Sequence, residues 1–188
     1  MIRRIAICFA AAMALASCTA PPLTLYTLGT PATPPDTLAL GKKPVVIAIA
    51  RVTIADELDT EDIVVRDGST LQRSRLGRWG SRLSMGITDR LTQRLAEQRP
   101  NALVTDRPLT ETPTARVLVN IGRLDVTTAG VATLDADWLV VAHDPTTPTV
   151  RDRGHFSAAG PVATDLDVVT LTGIVLDKLA AAIDISRR

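Results

Sequence analysis

The sequence predicts an α+β fold: a mixed, mostly antiparallel sheet with two helices packed on one face. Three observations carry that reading. Short β-branched runs with period-two alternation recur along the chain, two longer segments switch to three- and four-residue spacing, and the order is strands, helix, strands, helix. Mixing both periods in that order segregates the helices from the sheet rather than alternating them with parallel strands.

Val45 to Val52 is apolar at both parities and bounded by Pro44 and by Asp56-Glu57, which predicts a central strand. Ile63-Val64-Val65-Arg66 and Ser69 to Ser74 flank Asp67-Gly68, a hairpin turn signal. From Gly77 to Arg99, Trp79, Leu83, Ile87, Leu91 and Leu95 recur every four residues, which predicts an amphipathic helix stopped by Pro100-Asn101. Ala102 to Thr105 is a short strand. Ala115 to Val126 and Val131 to Ala142 are longer ones; in the second, Ala132, Leu134, Ala136, Trp138 and Val140 share one face and Thr133, Asp135 and Asp137 the other. Thr149 to Ala159 is the last strand. Thr164 then stands as an N-cap with Asp165 and Asp167 in the first turn of a helix carrying Val168, Leu171, Val175, Leu179 and Ile183. Trp79 and Trp138, each on an apolar face, are expected in the core.

Upstream of this domain the composition changes. Arg3 and Arg4 precede an apolar run from Ile5 to Leu15, the pattern of an export signal too short to anchor in a bilayer. Leu15-Ala16-Ser17-Cys18 resembles the bacterial lipoprotein box, in which the small residues admit a peptidase and the Cys thiol is acylated, palmitate being a usual chain. The expected organisation is signal peptide 1–17, lipidated Cys18 and Pro-rich tether 18–44, and domain 45–188. Six of the 12 prolines fall between Thr19 and Pro44, favouring extended backbone that lifts the domain off the membrane. Within it Leu23, Leu25, Tyr26 and Leu28 are apolar enough to add an edge strand to the domain. Thr19 follows the Cys where Asp often signals inner-membrane retention, so the expected anchor is in the outer membrane, facing the periplasm. Acyl chains rather than charge must hold it there: 21 Lys and Arg against 20 Asp and Glu give a formal net charge of +1, and two of those arginines leave with the signal.

The same balance, with 3% aromatic residues, argues against nucleic-acid binding. Phosphate-loop, zinc-protease and nucleophile-elbow motifs are missing, so neither a cofactor nor an enzyme is expected, an anchored hydrolase being the weakest reading. Cys8 leaves with the signal and Cys18 takes the lipid, so no intramolecular disulfide is expected. His143 and His155, with Asp144 and Asp152 nearby, fit two solvated residues flanking a turn better than a metal site, because ligand spacing within one element is lacking. Arg73, Arg75, Arg78 and Arg82 cluster beside Trp79. They read either as a solvated face or, together with Arg66, as a surface for an acidic partner or lipid phosphates.

Four features resemble a known family, the PqiC-type auxiliary lipoproteins of ABC-type lipid transporters that partner MCE (mammalian cell entry) proteins. They are the Cys18 lipobox, Leu25-Tyr26-Thr27-Leu28, the stretch Leu58-Asp59-Thr60-Glu61-Asp62-Ile63-Val64-Val65-Arg66, and Arg78-Trp79 followed by Leu83. The helix from Leu166 to Ile183 matches as well. Glu57, Thr60 and Glu61 depart from the family pattern, which often has an aromatic at the first position and Arg and Pro at the others. The resemblance implies a non-enzymatic subunit of an envelope-spanning lipid transport system that maintains membrane integrity. Its implied partners are an MCE-domain protein and the associated ABC transporter, and a homo-oligomer is compatible with it. The alternative from the residues alone is an independent small-molecule-binding or assembly lipoprotein of the outer membrane.

Overall fold

The computed structural model describes residues 22–29 and 45–185. Eleven elements follow one another: β1 (Thr24–Tyr26), β2 (Val45–Ile49), β3 (Thr53–Ile54), β4 (Asp62–Asp67), β5 (Thr70–Trp79), α1 (Leu83–Gln98), β6 (Ala102–Thr105), β7 (Ala115–Val126), β8 (Val131–Ala142), β9 (Val150–Ala159) and α2 (Asp165–Ala182). The fold class is the α+β arrangement the periodicities predict, with the strands divided between two sheets. The larger has the order β6-β2-β7-β8-β9, with β3 also on β7; the smaller is β1-β5-β4. The β7–β8 and β8–β9 ladders are long and antiparallel, whereas β2 runs parallel to both β6 and β7. Its place between two neighbours is what its two-parity apolar pattern calls for.

β7 shows how a sheet face is kept. Ala115, Val117, Val119 and Ile121 point inward, and the register then shifts by one residue between Ile121 and Arg123. That bulge moves the inward set to Leu124 and Val126, so the parity change in the sequence is absorbed without exposing either. In β8 the predicted inward five are buried. Thr133, expected outside, is buried too, because its ladder partner Asp125 draws Arg66 and Arg123 over that end of the face.

Helix α1 is shorter than its periodicity predicts. It begins at Leu83, and Trp79 belongs to β5, where β1 supplies a parallel partner for Gly77, Arg78 and Trp79. Trp79 donates its backbone N–H to Glu61 and Gly80 donates to Tyr26. These bonds keep the chain extended, and four-residue spacing at Trp79 is incidental. From Leu83 onward the stripe of Leu83, Ile87, Leu91 and Leu95 is buried as expected. Helix α2 opens with a capping box: Thr164 accepts from the Asp167 backbone, and the Asp167 carboxylate accepts from the Thr164 N–H.

One ion-pair cluster joins these parts. The Asp177 carboxylate on α2 accepts two hydrogen bonds from Arg90 (2.9 and 2.8 Å) and two from Arg94 (2.9 and 3.1 Å), both on α1. Arg90 also donates to the carbonyl of Leu28, so the segment following β1 is tied to both helices. Gly173 makes room for this: a Cβ there would sit 3.0 Å from the Arg90 guanidinium. Burial pushes the Asp177 carboxyl up, but the hydrogen bonds from Arg90 and Arg94 outweigh it and hold the group below the ordinary carboxylate range.

A carboxyl with a depressed folded-state pKa contributes stability that is complete above its unfolded pKa and disappears as pH falls through the folded one. Asp177→Asn should therefore cost about 2 kcal/mol at neutral pH. That deficit should shrink progressively below about pH 4. Urea denaturation of both proteins across pH checks it; a deficit constant with pH contradicts the assignment.

Candidate functional site

The segment from Leu58 to Arg66 positions the arginines that the sequence singles out. Arg82, at the N-cap of α1, makes no capping bond through its own side chain. Asp59 supplies it from the preceding turn, its carboxylate accepting the Ser84 N–H at 3.0 Å. Arg82 in turn donates to the Asp59 carbonyl and pairs with its carboxylate at 3.5 Å, and Arg51 approaches the same carboxylate at 3.9 Å. Burial pushes the Asp59 carboxyl up, yet the Ser84 amide and hydroxyl and the two guanidiniums hold it below its usual range. Asp62 takes Arg73 at 3.2 Å and Arg78 at 3.1 Å. Arg66 reaches the other way, to the buried Asp125 at 2.6 Å.

The five arginines thus do not form one free face. Arg66 and Arg78 are mostly covered, with 29% of each side chain exposed, whereas Arg73 and Arg82 are 68% and 59% exposed. Arg75 is exposed and makes no ion pair among the described residues. It is placed there by an irregularity in the hairpin. Between the pairs Asp62↔Arg78 and Val64↔Arg73, β4 advances two residues and β5 five. The extra length, Ser74 to Gly77, is held rigidly: the Ser74 hydroxyl donates to Asp165 at 2.8 Å and accepts from the backbone of Leu76 and Gly77, while Arg78 donates to the carbonyls of Ser74 and Gly77. Sequence reasoning found the arginines but not Asp59, Asp62 and Asp125, which decide their orientation. The usable signal was the pairing of that acidic stretch with the arginine run after the hairpin turn.

Residues Leu15, Ala16, Ser17 and Cys18 lie outside the described residues. The edge strand expected within 18–44 is present as β1, paired with β5, and residues 30–44 lie outside the described residues. His155 contacts Asp135 across the β8–β9 ladder, whereas His143 follows the far end of β8, eight residues along, about 26 Å away at strand rise. An open cleft of about 580 Å³ marks the seam between the β1 segment and α1, with Tyr26, Leu28, Trp79 and Leu83 on its wall. At its rim the Asp89 carboxyl is pushed up, by desolvation first and by neighbouring Asp106 second. No helix among the described residues is long and apolar enough to cross a membrane.

The family model for the ABC-type transport auxiliary lipoprotein component matches residues 26–184. The chain belongs to this family. The match runs from Tyr26, the last residue of β1, past the end of α2, and the PqiC-type resemblance of the sequence is thereby confirmed. No curated protein matches the chain significantly. Among solved structures, one crystal structure of an uncharacterized protein aligns with TM-score 0.68 and 15% identity, over 85% of this chain and 95% of that one. Protein XCC0632 from Xanthomonas campestris aligns with TM-score 0.60 and 14% identity, over 84% and 90%. At such identities the likeness concerns the fold alone. Family members of this kind are membrane-anchored lipoproteins serving a transporter, and their domain faces the periplasm.

Because Asp59 caps α1 from a distance, Asp59→Ala should destabilise the protein by about 1–2 kcal/mol. Arg82→Ala, which removes an exposed pair, should cost no more than about 1 kcal/mol. Equal costs in urea denaturation contradict the capping role.

Proposed function

We propose that this auxiliary lipoprotein is anchored in the outer membrane through acylated Cys18 and serves an MCE-type lipid transporter by binding and holding its MCE-domain subunit. The observation that carries the proposal is the family match over 26–184 lying directly downstream of a lipobox. Thr19 after the Cys, where inner-membrane retention favours Asp, supports the outer-membrane address. The protein's contribution to envelope integrity is then positional rather than catalytic: acyl chains fix one end, and a rigid hairpin presents a surface.

That surface is narrower than the sequence predicts. Arg66 and Arg78 are held by Asp125 and Asp62 and serve the fold, which leaves Arg73, Arg75 and Arg82 as the exposed cations for an acidic partner. Rim charges of this sort act through encounter rate and register more than through buried contact. The test is binding of the purified lipoprotein to the MCE protein from its own cell. Arg73→Glu with Arg75→Glu should weaken it about tenfold at low salt, against about twofold for Arg151→Glu with Arg153→Glu on β9. Indifference to both pairs removes the arginines from the mechanism, and absence of any binding favours an independent lipoprotein. Cys18→Ser should release the protein from membranes; continued fractionation with them contradicts the anchor.

A further inference from the structure

Four of the exposed large apolar side chains gather around one point of the backbone. Leu23, Leu25, Leu76 and Leu166 are 55%, 64%, 44% and 58% exposed. Thr24 is the ladder partner of Gly77, which places Leu23 and Leu76 one residue before that pair and Leu25 one after. Asp165 lies against Gly77 so closely that a Cβ there would sit 2.3 Å from its carboxylate, and Leu166 follows it. Single exposed leucines are ordinary, but four at one corner, where β1, β5 and the first turn of α2 meet, make a surface that something covers.

Chain length decides what covers it. Cys18 precedes Leu23 by five residues, and five extended residues span at most about 18 Å. Pro21 and Pro22 fall within that span. A domain of this size has a radius of gyration of about 14–15 Å, so it is about twice as wide as its leash is long. With the Cys18 acyl chains in the bilayer, the β1 corner stays within about 18 Å of the lipid, about half the width of the domain, which makes it the part of the domain held nearest the membrane. The leucines occupy the corner that anchoring holds nearest the membrane.

We infer that Leu23, Leu25, Leu76 and Leu166 form a membrane-docking face, which inserts at the boundary between headgroups and acyl chains and fixes the tilt of the domain on the outer-membrane surface. The inference rests on acylation of Cys18. The corner then acts as a second, weaker attachment beside the lipid, as an apolar face at the interface does.

The full mature lipoprotein has no other free thiol once Cys18 is acylated, so single Leu25→Cys, Leu76→Cys and Leu166→Cys variants can each carry an environment-sensitive fluorophore. Glu111→Cys, exposed beyond the opposite end of β7, serves as the reference. In vesicles of equimolar phosphatidylethanolamine and phosphatidylglycerol, lipids spin-labelled high on the acyl chain should quench the three corner labels at least about twofold more than the reference label. A protein that floats with the vesicles yet shows equal quenching at all four positions overturns the docking face and leaves the anchor intact. Self-quenching of the corner labels without lipid quenching also overturns it, by showing that a second copy covers the leucines. Failure to float overturns the anchor and the inference together.

Discussion

Arg90 uses one guanidinium for three attachments. Two of its donors meet Asp177 on α2 and a third meets the carbonyl of Leu28, while its own backbone belongs to α1. Without that group the two helices would still share apolar contacts, but the segment leaving β1 would be held only by the buried Leu28 and the Gly80–Tyr26 bond. β1 is only three residues long, and a strand so short at a sheet edge is not stable by its ladder alone. Arg94 completes the arrangement by filling the remaining lone pairs of Asp177, so that the partly covered carboxylate has four donors and no uncompensated charge. Gly173 belongs to the same device, because a Cβ there would press on the Arg90 guanidinium at 3.0 Å and require it to shift.

The consequence reaches function through chain length. With residues 24–26 fixed to the domain, the leash from the proposed anchor at Cys18 is five residues, not the whole Pro-rich stretch. A lipoprotein on so short a leash has a defined orientation, and orientation is what an auxiliary subunit can contribute to a transporter. The hairpin fits the same picture. Its tip turns on Gly68 with positive φ, its base is locked by Ser74, Asp165 and Arg78, and Asp59 couples it to the start of α1. Side chains carried on such a frame are presented rather than searching for a partner.

Much of this was legible in the residues. Alternation in β8, the two-parity run in β2, the Asp-Gly turn and the Thr164 cap each correspond to a local rule that the tertiary structure does not oppose. The failures occur where a distant partner overrides a local period. Trp79 fits the helical stripe by spacing, yet β1 arrives from more than fifty residues away and pairs with that stretch as a strand. The arginines read as one cluster because they are close in sequence, but Asp62, Asp59 and Asp125 draw them to three different places. Asp177 could not be matched with Arg90 from sequence, since helix crossing, not periodicity, brings them together.

The account turns on whether the Arg90 cluster is what fixes β1 to the domain. Amide hydrogen exchange of Arg90→Ala measures that directly. The Gly80 N–H, which donates to Tyr26, should lose most of its protection, while the amides of Ile121 and Trp138 in the middle of the large sheet keep theirs once exchange is scaled to the variant's global stability. If Gly80 remains as protected in the variant as in the wild type, β1 is held by other means, and the short, oriented leash does not depend on this cluster.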